Sequence, residues 1–444
     1  MTGFMRAAAE RLRAGIVLWA LLIAAVAAGP ARSETATTYQ VRRGDTLAGL
    51  STRYLVSPNA YREVARLNRV GDPRRLMPGR TLRIPDRLLR TEPVIARLVA
   101  YRGEVSVRVG GAEIPTAMDM PTPEGAVVAT GAGSFATLEM PDGSRVSLPS
   151  QSRVRVVTLR RVILGDRLIR RFALESGRGT LHVTPATQPG NDFTVTTPLT
   201  VSAVRGTVFR VAHDPEASRS SLGVVEGTVA NQSIEGAAPA ELAAGFGRVS
   251  DIAGPQDVRA LLGPPTLLDP GRVQDEETVD FTIATLGGAL AYRLQIGGDA
   301  GFVDTLAEAT AQGPVVSFPT LAAGTYFVRV TGIDAAGLEG LPAVLAFERR
   351  LNRLDLEAPA ADAGRQFRFR WADAAAGAAS FRFQLSRSED MSQPIVDEAG
   401  LTERRISITN LPDGVYFWRV RVTRFEGGQA FEKWSPVQRF QLGS

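Results

Sequence analysis

The sequence predicts a mainly β, multidomain protein: a small βααβ module, a β-roll or solenoid-like domain, and two antiparallel β-sandwich modules. Three observations support this. The chain has 444 residues, which exceeds one ordinary domain. From about residue 94, short runs rich in valine and threonine alternate with glycine-containing turns. A pattern near the C-terminus then recurs after about ninety residues, and ninety residues is the size of one sandwich.

The N-terminus predicts export. Arg6, Arg11 and Arg13 precede an uncharged apolar run, Ala14 to Ala28, which is followed by small residues. The run is short for a transmembrane helix, so we interpret residues 1–33 as a cleaved signal peptide, with an uncleaved anchor as the other interpretation. No later run approaches spanning length, and no stable membrane span is expected in the mature chain. The predicted location is the periplasm, in association with the cell wall.

Residues 39–85 predict the first module. A strand from Tyr39 to Arg43 leads into a turn at Gly44, after which Asp45 is expected to cap a first helix. Ser57-Pro58 is a second helix start. Three residues at helical spacing are expected to give that second helix a buried face: Tyr61, Val64 and Leu67. Pro78-Gly79 then turns the chain into a short last strand, residues 81–84.

The residues from Tyr39 to Pro85 resemble the LysM module, a binder of peptidoglycan and chitin-type glycans. The matching elements are Tyr-x-Val-x-x-Gly-Asp-Thr-Leu, a later Leu-Asn, and Pro-Gly-x-x-Leu-x-Ile-Pro. One departure is Gly49, a position that is often aromatic in the family. The resemblance implies a groove for an N-acetylglucosamine-containing glycan, lined by Gly44, Asp45, Thr46, Leu47, Asn68, Arg69, Val70, Leu76 and Met77. Leu47, Val70 and Met77 would cover the acetyl methyl group, with plain packing as the other interpretation of each apolar residue.

Charge is concentrated in this module. The formal net charge of the chain is +5, yet residues 39–90 hold twelve arginines against four acidic residues. Such a surface suits the acidic groups of a bacterial wall. Nucleic acid is the other partner of a basic surface, and we exclude it because the chain is predicted to be exported. Arginine as an ordinary solvated cation is a further interpretation, since Lys433 is the only lysine.

Residues 94–252 predict a β domain. Strands are expected at 98–101, 105–109, 126–130, 135–140, 153–158, 171–174, 179–183, 193–196 and 201–211. Asp142-Gly143, followed by Arg145 to Leu148, predicts a hairpin. Short strands at this spacing favour a roll, a solenoid-like stack or a sandwich.

The same region resembles the FecR domain. Its most characteristic residues are Thr196-Thr197-Pro198 and Arg205-Gly206-Thr207, which lie between alternating strands. The latter tripeptide is a candidate structural or partner-binding motif. In the best-known members, this domain follows a membrane anchor and passes an iron-uptake signal inward. We expect this chain to have neither the cytoplasmic segment nor the retained span of those members, which puts signalling across a membrane by this chain alone in doubt.

Two modules, residues 265–350 and 354–444, form the repeat. Ala291 to Ile296 matches Ser380 to Leu385, and Leu321 to Val330 matches Leu411 to Val420. The pattern Leu-x-x-Gly-x-Tyr-x-x-Arg-Val resembles the late strands of fibronectin type III-like modules. Its tyrosine is expected to tie a loop to the sheet. Such modules act as spacers or docking surfaces.

Nothing in the sequence predicts catalysis. Cysteine is absent, and the two histidines, His182 and His213, are isolated without metal-ligand spacing. Gly131 to Ala136 fits a dinucleotide fingerprint but precedes a strand rather than a helix. Arg43-Gly44-Asp45 lies inside the glycan-module turn, which argues against an adhesion motif. We predict no enzyme activity, no cofactor and no metal.

Three hypotheses follow. The favoured one is a non-catalytic periplasmic peptidoglycan-binding scaffold. The second is an envelope-sensing adaptor in a FecR-type pathway, whose β domains bind an envelope protein partner. The third is a wall-remodelling enzyme or an accessory to one, and the missing catalytic residues disfavour the enzyme itself.

Overall fold

The computed structural model describes residues 35–443, except 186–191, 235, 237, 363–365, 374–377 and 427. The predicted signal peptide, residues 1–33, lies outside the described residues. Strands dominate, with a short helical region near the N-terminus, so the predicted fold class is confirmed. The chain divides into two compact units. The first runs to Glu92 and includes Arg161–Arg167, and the second contains Pro93–Arg160 and everything from Leu168 onward.

The first unit has the predicted order of strand, helix, helix and strand. Its elements are β1 (Ala36–Gln40), α1 (Leu47–Tyr54), a 3₁₀ helix (Pro58–Ala60), α2 (Tyr61–Leu67), β2 (Thr81–Pro85) and a second 3₁₀ helix (Asp86–Leu88). The predicted cap of α1 is wrong by one residue. The Thr46 hydroxyl, not Asp45, accepts the hydrogen bond from the Gly49 amide, at 3.0 Å. Ser57 also makes no side-chain cap.

Strands β1 and β2 pair antiparallel, with Ala36 opposite Pro85 and Gln40 opposite Thr81. Their inward side chains pack on the two helices, and Leu82 and Val64 are fully buried. Leu67 is exposed. The predicted apolar face of the second helix is therefore wrong at that position, because the helix ends there.

A two-sheet β domain follows, and all but a few of its residues lie in the second unit. Its strands are β3 (Thr91–Pro93), β4 (Ala96–Arg102), β5 (Val105–Val109), β6 (Ala112–Ile114), β7 (Met120–Thr122), β8 (Val127–Thr130), β9 (Phe135–Glu139), β10 (Arg145–Leu148), β11 (Arg153–Val162), β12 (Arg167–His182), β13 (Asp192–Thr196), β14 (Thr200–Val204), β15 (Val208–Asp214), β16 (Arg219–Glu226), β17 (Thr228–Ser233), β18 (Ala240–Ala243), β19 (Phe246–Asp251), β20 (Gly254–Pro255) and β21 (Arg259–Ala260). One sheet has the order β7-β4-β9-β10-β12-β15-β16-β19-β21, and the other β6-β5-β8-β11-β12-β13-β14-β17-β18. Both sheets enclose one apolar core, whose buried residues lie between Val94 and Leu242.

Strand β12 belongs to both sheets. Its first half pairs in parallel with β13, and its second half pairs antiparallel with β15. The two separate strands predicted here, 171–174 and 179–183, are therefore one strand. Gly177 sits at the change of sheet with φ +78°, and a Cβ there would lie 2.3 Å from the Gln151 carbonyl oxygen. A glycine lets the strand bend without ending.

Two sandwiches complete the unit. The first contains β22 (Leu267–Leu268), β23 (Val279–Ile283), β24 (Ala291–Gly297), β25 (Thr305–Ala311), β26 (Val315–Phe318), β27 (Gly324–Ile333) and β28 (Ala343–Arg349). The second contains β29 (Leu354–Leu356), β30 (Ala360–Asp362), β31 (Gln366–Asp373), β32 (Ala379–Ser386), β33 (Pro394–Leu401), β34 (Arg405–Thr409), β35 (Gly414–Glu426), β36 (Gln429–Trp434) and β37 (Gln438–Leu442). Sheet β25-β24-β27-β28 faces β22-β23-β26 in the first, and β33-β32-β35-β36 forms the corresponding sheet of the second.

The repeat seen in the sequence is a structural repeat. Tyr326 donates its hydroxyl to the Ala322 carbonyl at 3.1 Å, and Tyr416 donates to the Pro412 carbonyl at 2.6 Å. Each bond ties the strand that carries the tyrosine to the loop four residues before it. The expected corner role of the tyrosine is therefore confirmed in both modules.

Candidate glycan-binding site

The two loops predicted to bind the glycan lie side by side in the first unit. One precedes α1, and the other joins α2 to β2. The Leu47 amide, at the start of α1, donates to the Pro73 carbonyl of the second loop at 3.0 Å. Because this bond holds the loops together, backbone groups from both can reach one ligand.

Asp45 braces the first loop. Its carboxylate accepts hydrogen bonds from the Tyr39 hydroxyl at 2.7 Å, the Arg42 amide at 2.7 Å and the Arg53 guanidinium at 3.1 Å. Burial alone would raise the pKa of Asp45, but these bonds hold it below its ordinary value. Burial together with Asp45 raises the pKa of Tyr39 to about 12. The Asp45 carboxylate thus stabilises the turn through these hydrogen bonds.

Asn68 braces the second loop in the same way. Its amide nitrogen donates to the Val64 carbonyl at 2.8 Å and the Arg83 carbonyl at 2.7 Å. Its amide oxygen accepts from the Arg83 amide at 2.7 Å. Asn68 therefore ties the end of α2 to β2. Its backbone carbonyl also accepts a hydrogen bond from the Arg80 guanidinium.

The apolar candidates separate into two groups. Leu47 and Leu76 are buried in the core of the first unit, which favours packing over contact with an acetyl group. Val70 is half-buried. Met77 is 76% exposed, an unusual exposure for a large apolar side chain, and it lies in the second loop.

Polar groups for a ligand come from the backbone and from arginine. Within the described residues, the amides of Thr46 and Met77 donate to no protein acceptor. Gly44 and Arg69 are exposed. Free amides beside an exposed methionine suit an N-acetyl group, whose carbonyl accepts hydrogen bonds and whose methyl is apolar.

The tripeptide Arg205-Gly206-Thr207 forms a tight turn between β14 and β15. Gly206 has φ +77°, and a Cβ there would lie 2.6 Å from Pro185 Cα. Thr207 is buried, and its carbonyl accepts from the Val183 amide at 2.9 Å. Arg205 points to solvent. The glycine and the threonine thus have structural roles, while Arg205 is available to a partner.

Replacing Gly206 by alanine is expected to destabilise the β domain by about 2–4 kcal/mol, because backbone strain and a clash with Pro185 add together. Gly245→Ala is the matched control, since Gly245 has φ +82° and a Cβ there would have no neighbour within 4 Å. It should cost only about 1 kcal/mol. Hydrogen exchange of peptides covering β14 and β15 measures both. Equal losses in the two variants would contradict the packing role of Gly206.

Two family models match parts of the chain. Residues 39–85 match the model of the LysM domain, and residues 126–230 match the model of the FecR protein family. The chain carries a LysM domain and a FecR domain. No curated protein matches the chain significantly.

Solved structures resemble parts of the chain. A proposed anti-sigma factor from Parabacteroides distasonis is 20% identical over 30% of this chain and 59% of its own, with a TM-score of 0.26. The fibronectin(III)-like modules of Clostridium thermocellum CbhA are 11% identical over 38% of this chain and 90% of theirs. A two-domain fibronectin type III segment of chicken tenascin is 13% identical over 40% and 99%. Both of the latter have TM-scores of 0.19. The chain spans 59% of the anti-sigma factor structure it matches.

The domains found are binding or signalling modules of envelope-associated proteins, rather than catalytic ones. No helix in the described part of the chain is long and apolar enough to cross a membrane. Among the same residues, no group of acidic or histidine side chains is arranged to hold a metal ion. His182 is half-buried, and burial, with Arg329, Arg145 and Arg210 nearby, lowers its pKa to about 4.

The sequence did not reveal a buried charge cluster between the FecR domain and the first sandwich. The Glu339 carboxylate forms ion pairs with the guanidinium groups of Arg210 in β15, at 3.2 Å, and Arg293 in β24, at 2.9 Å. Arg293 also pairs with Glu308 at 2.6 Å. Burial, with Arg293 and Arg210 nearby, lowers the pKa of Arg329 to about 9. The one sequence signal was the repeated Arg-x-Gln of the two modules, which says nothing about burial.

Glu339 makes the stability of this interface sensitive to acid. Burial alone would raise the pKa of Glu339, but Arg210 and Arg293 hold it well below its ordinary value of 4.5. The stabilisation is therefore complete above pH 4.5 and is lost as the pH falls toward the lowered pKa. Calorimetry of wild type and Glu339→Gln should show a constant stability gap from pH 7 to 5 that narrows in stronger acid. A gap that widens on acidification would contradict this assignment.

Proposed function

We propose that this protein is a non-catalytic peptidoglycan-binding protein of the periplasm, in which the LysM domain holds the FecR domain and both sandwiches at the cell wall. The observation that carries the proposal is the pair of hydrogen-bonded loops with free amides beside exposed Met77 in the LysM domain. The arginine excess of the same domain supports attraction to an anionic wall.

Within this proposal, the nine predicted residues have different roles. Asp45, Asn68, Leu47 and Leu76 shape the loops from within. The ligand meets the Thr46 and Met77 amides, the Met77 side chain, and the exposed surfaces of Gly44, Arg69 and Val70. A single module of this size is expected to bind in the micromolar to millimolar range, roughly −8 to −4 kcal/mol.

Met77→Ala is expected to weaken binding of a chitin-type N-acetylglucosamine oligomer by about 1 kcal/mol, or roughly fivefold, because less apolar surface is buried. Val56→Ala is the control, since Val56 is also exposed in this domain but lies in the loop after α1. Calorimetric titration of the full mature chain measures both variants. Equal affinities for Met77→Ala and wild type would mean that the glycan does not contact this loop.

A second candidate is an envelope-sensing adaptor. The match of residues 126–230 to the FecR family favours it, and exposed Arg205 offers one contact for a protein partner. The two functions are compatible, since anchoring would place the FecR domain where a partner in the envelope can meet it. Arg205→Ala would then reduce partner binding without changing sedimentation with the wall.

A further inference from the structure

The outer face of the first sandwich is a covered surface. Its charged and polar side chains form a connected row, the covered ladder, made of Arg293, Gln295, Glu308, Arg329 and Glu339. Gln295 donates to Glu308 at 2.8 Å, and Arg329 donates to Gln295 at 2.9 Å. The Arg293 side chain is only 3% exposed and that of Glu339 15%.

The sheet that covers this ladder belongs to the FecR domain. Arg210 projects from β15 and donates to the Gly340 carbonyl at 2.7 Å, in addition to its ion pair with Glu339. Thr137 of β9 donates to the Val303 carbonyl at 2.9 Å. Gly247 of β19 packs so closely that a Cβ there would lie 2.7 Å from Leu261 and 3.2 Å from Leu338. A FecR-type sheet that presents one arginine therefore fits this ladder.

The second sandwich carries the same row of side chains. This open ladder consists of Arg382, Gln384, Asp397, Arg419 and Glu432. Arg382 donates to Asp397 at 2.7 Å, Gln384 donates to Asp397 at 3.0 Å, and Arg419 donates to Gln384 at 2.9 Å.

The acidic ends of the two ladders also correspond. Glu339 lies opposite Ile333 of β27, and Glu432 lies opposite Thr423 of β35, the matching position of the repeat. A threonine hydroxyl donates to each glutamate, from Thr331 at 2.9 Å and from Thr423 at 3.1 Å, although the two threonines occupy different positions of the repeat. Glu432 pairs with Arg421 of its own module at 2.9 Å, so an incoming arginine would share this carboxylate with Arg421, as Arg210 shares Glu339 with Arg293.

The charged ends of the open ladder reach solvent, while Gln384 at its centre is buried. The Arg382 side chain is 35% exposed and that of Glu432 44%, against a few per cent to 15% for their counterparts. Phe425 lies on the same face of β35 as Arg419 by strand alternation and is 73% exposed. An exposed aromatic residue beside a preformed polar row is a usual composition for an interface.

We propose that the outer face of sheet β33-β32-β35-β36 is a docking surface for a second FecR-like β-sheet, carried by another chain, whose arginine pairs with Glu432. The internal repeat supports this proposal, because the covered ladder of the first sandwich already packs against a FecR-type sheet. The covered ladder is occupied within the chain, and the tether gives that contact a high effective concentration. The incoming sheet therefore meets the second module, independently of glycan binding by the LysM domain.

The FecR segment of this chain, residues 91–262, supplies the probe. Every residue of its core lies between Val94 and Leu242, so the segment contains a complete core of its own, and without the sandwiches its Arg210 face is free. The labelled segment is titrated with the full mature chain by fluorescence anisotropy. We expect 1:1 binding, and we expect both Glu432→Arg in the chain and Arg210→Glu in the segment to weaken it at least about tenfold.

The charge-exchanged pair decides the outcome. The Arg210→Glu segment should bind the Glu432→Arg chain with most of the affinity that either substitution alone removes. A variant that has merely misfolded would not regain affinity in this combination. Two results would overturn the proposal. One is the absence of binding to the wild-type chain at millimolar concentration. The other is binding that survives Glu432→Arg, which would mean that the probe displaces the tethered FecR domain from the first module or binds elsewhere.

Discussion

Replacing Glu339 by glutamine is expected to destabilise the FecR domain and the first sandwich together, by about 3–5 kcal/mol. The reason is that Arg210 and Arg293 both pair with this carboxylate. Glutamine leaves two buried guanidinium groups with one fewer anion, and breaking a buried ion pair by removing one partner is costly. Hydrogen exchange of peptides from β15 and β24 reports the loss on both sides of the interface.

The internal repeat provides the control for this prediction. Glu432 occupies the matching position of the second sandwich but is 44% exposed and pairs with Arg421 at 2.9 Å. Glu432→Gln should change stability by less than about 1 kcal/mol, as is usual for surface pairs. If the two variants lose equal stability, or if Glu339→Gln affects β24 alone, the cluster does not couple the two domains.

Arg349→Met is expected to destabilise the first sandwich by about 3–5 kcal/mol. Arg349 is fully buried, and its guanidinium donates to the carbonyls of Gln274 at 2.9 Å, Glu277 at 3.0 Å and Leu321 at 3.2 Å. Methionine fills a similar volume but leaves these buried acceptors unsatisfied. Hydrogen exchange of peptides covering β28 and residues 274–277 measures the effect.

The matched variant is Arg353→Met. Arg353 is partly exposed and pairs with Glu277 and, at 2.8 Å, with Asp355, so its replacement removes only surface ion pairs and should cost less than about 1 kcal/mol. A loss in Arg349→Met no larger than that in Arg353→Met would show that the carbonyl cluster does not hold the segment before β23.

Much of the fold followed from local patterns. The hairpin at Asp142-Gly143 was predicted because that pair suits a tight turn, and the sandwich repeat was visible as matched tyrosines. Local signals failed where two residues competed for one role. Thr46 caps α1, because the adjacent Asp45 is held by Tyr39, Arg42 and Arg53.

The sequence predicted which loops carry the nine candidate residues, but not the contacts that each residue makes. Spacing and resemblance placed nine residues on two loops, and those loops do meet through Leu47 and Pro73. Sequence alone did not reveal that both the nitrogen and the oxygen of the Asn68 side-chain amide are hydrogen-bonded to the backbone of Val64 and Arg83. The FecR–sandwich cluster was not predictable, because Arg210 and Glu339 are 129 residues apart and only tertiary packing joins them.

The central claim is that the LysM domain holds this chain at the cell wall. Its most direct test is co-sedimentation of the mature chain with purified peptidoglycan sacculi, with and without residues 34–90, and with excess N-acetylglucosamine oligomer as competitor. We expect the full mature chain to pellet, the shortened chain to stay in the supernatant, and the oligomer to release the pelleted protein. Retention of the full chain in the supernatant at low salt, or equal pelleting of both chains, would contradict the account.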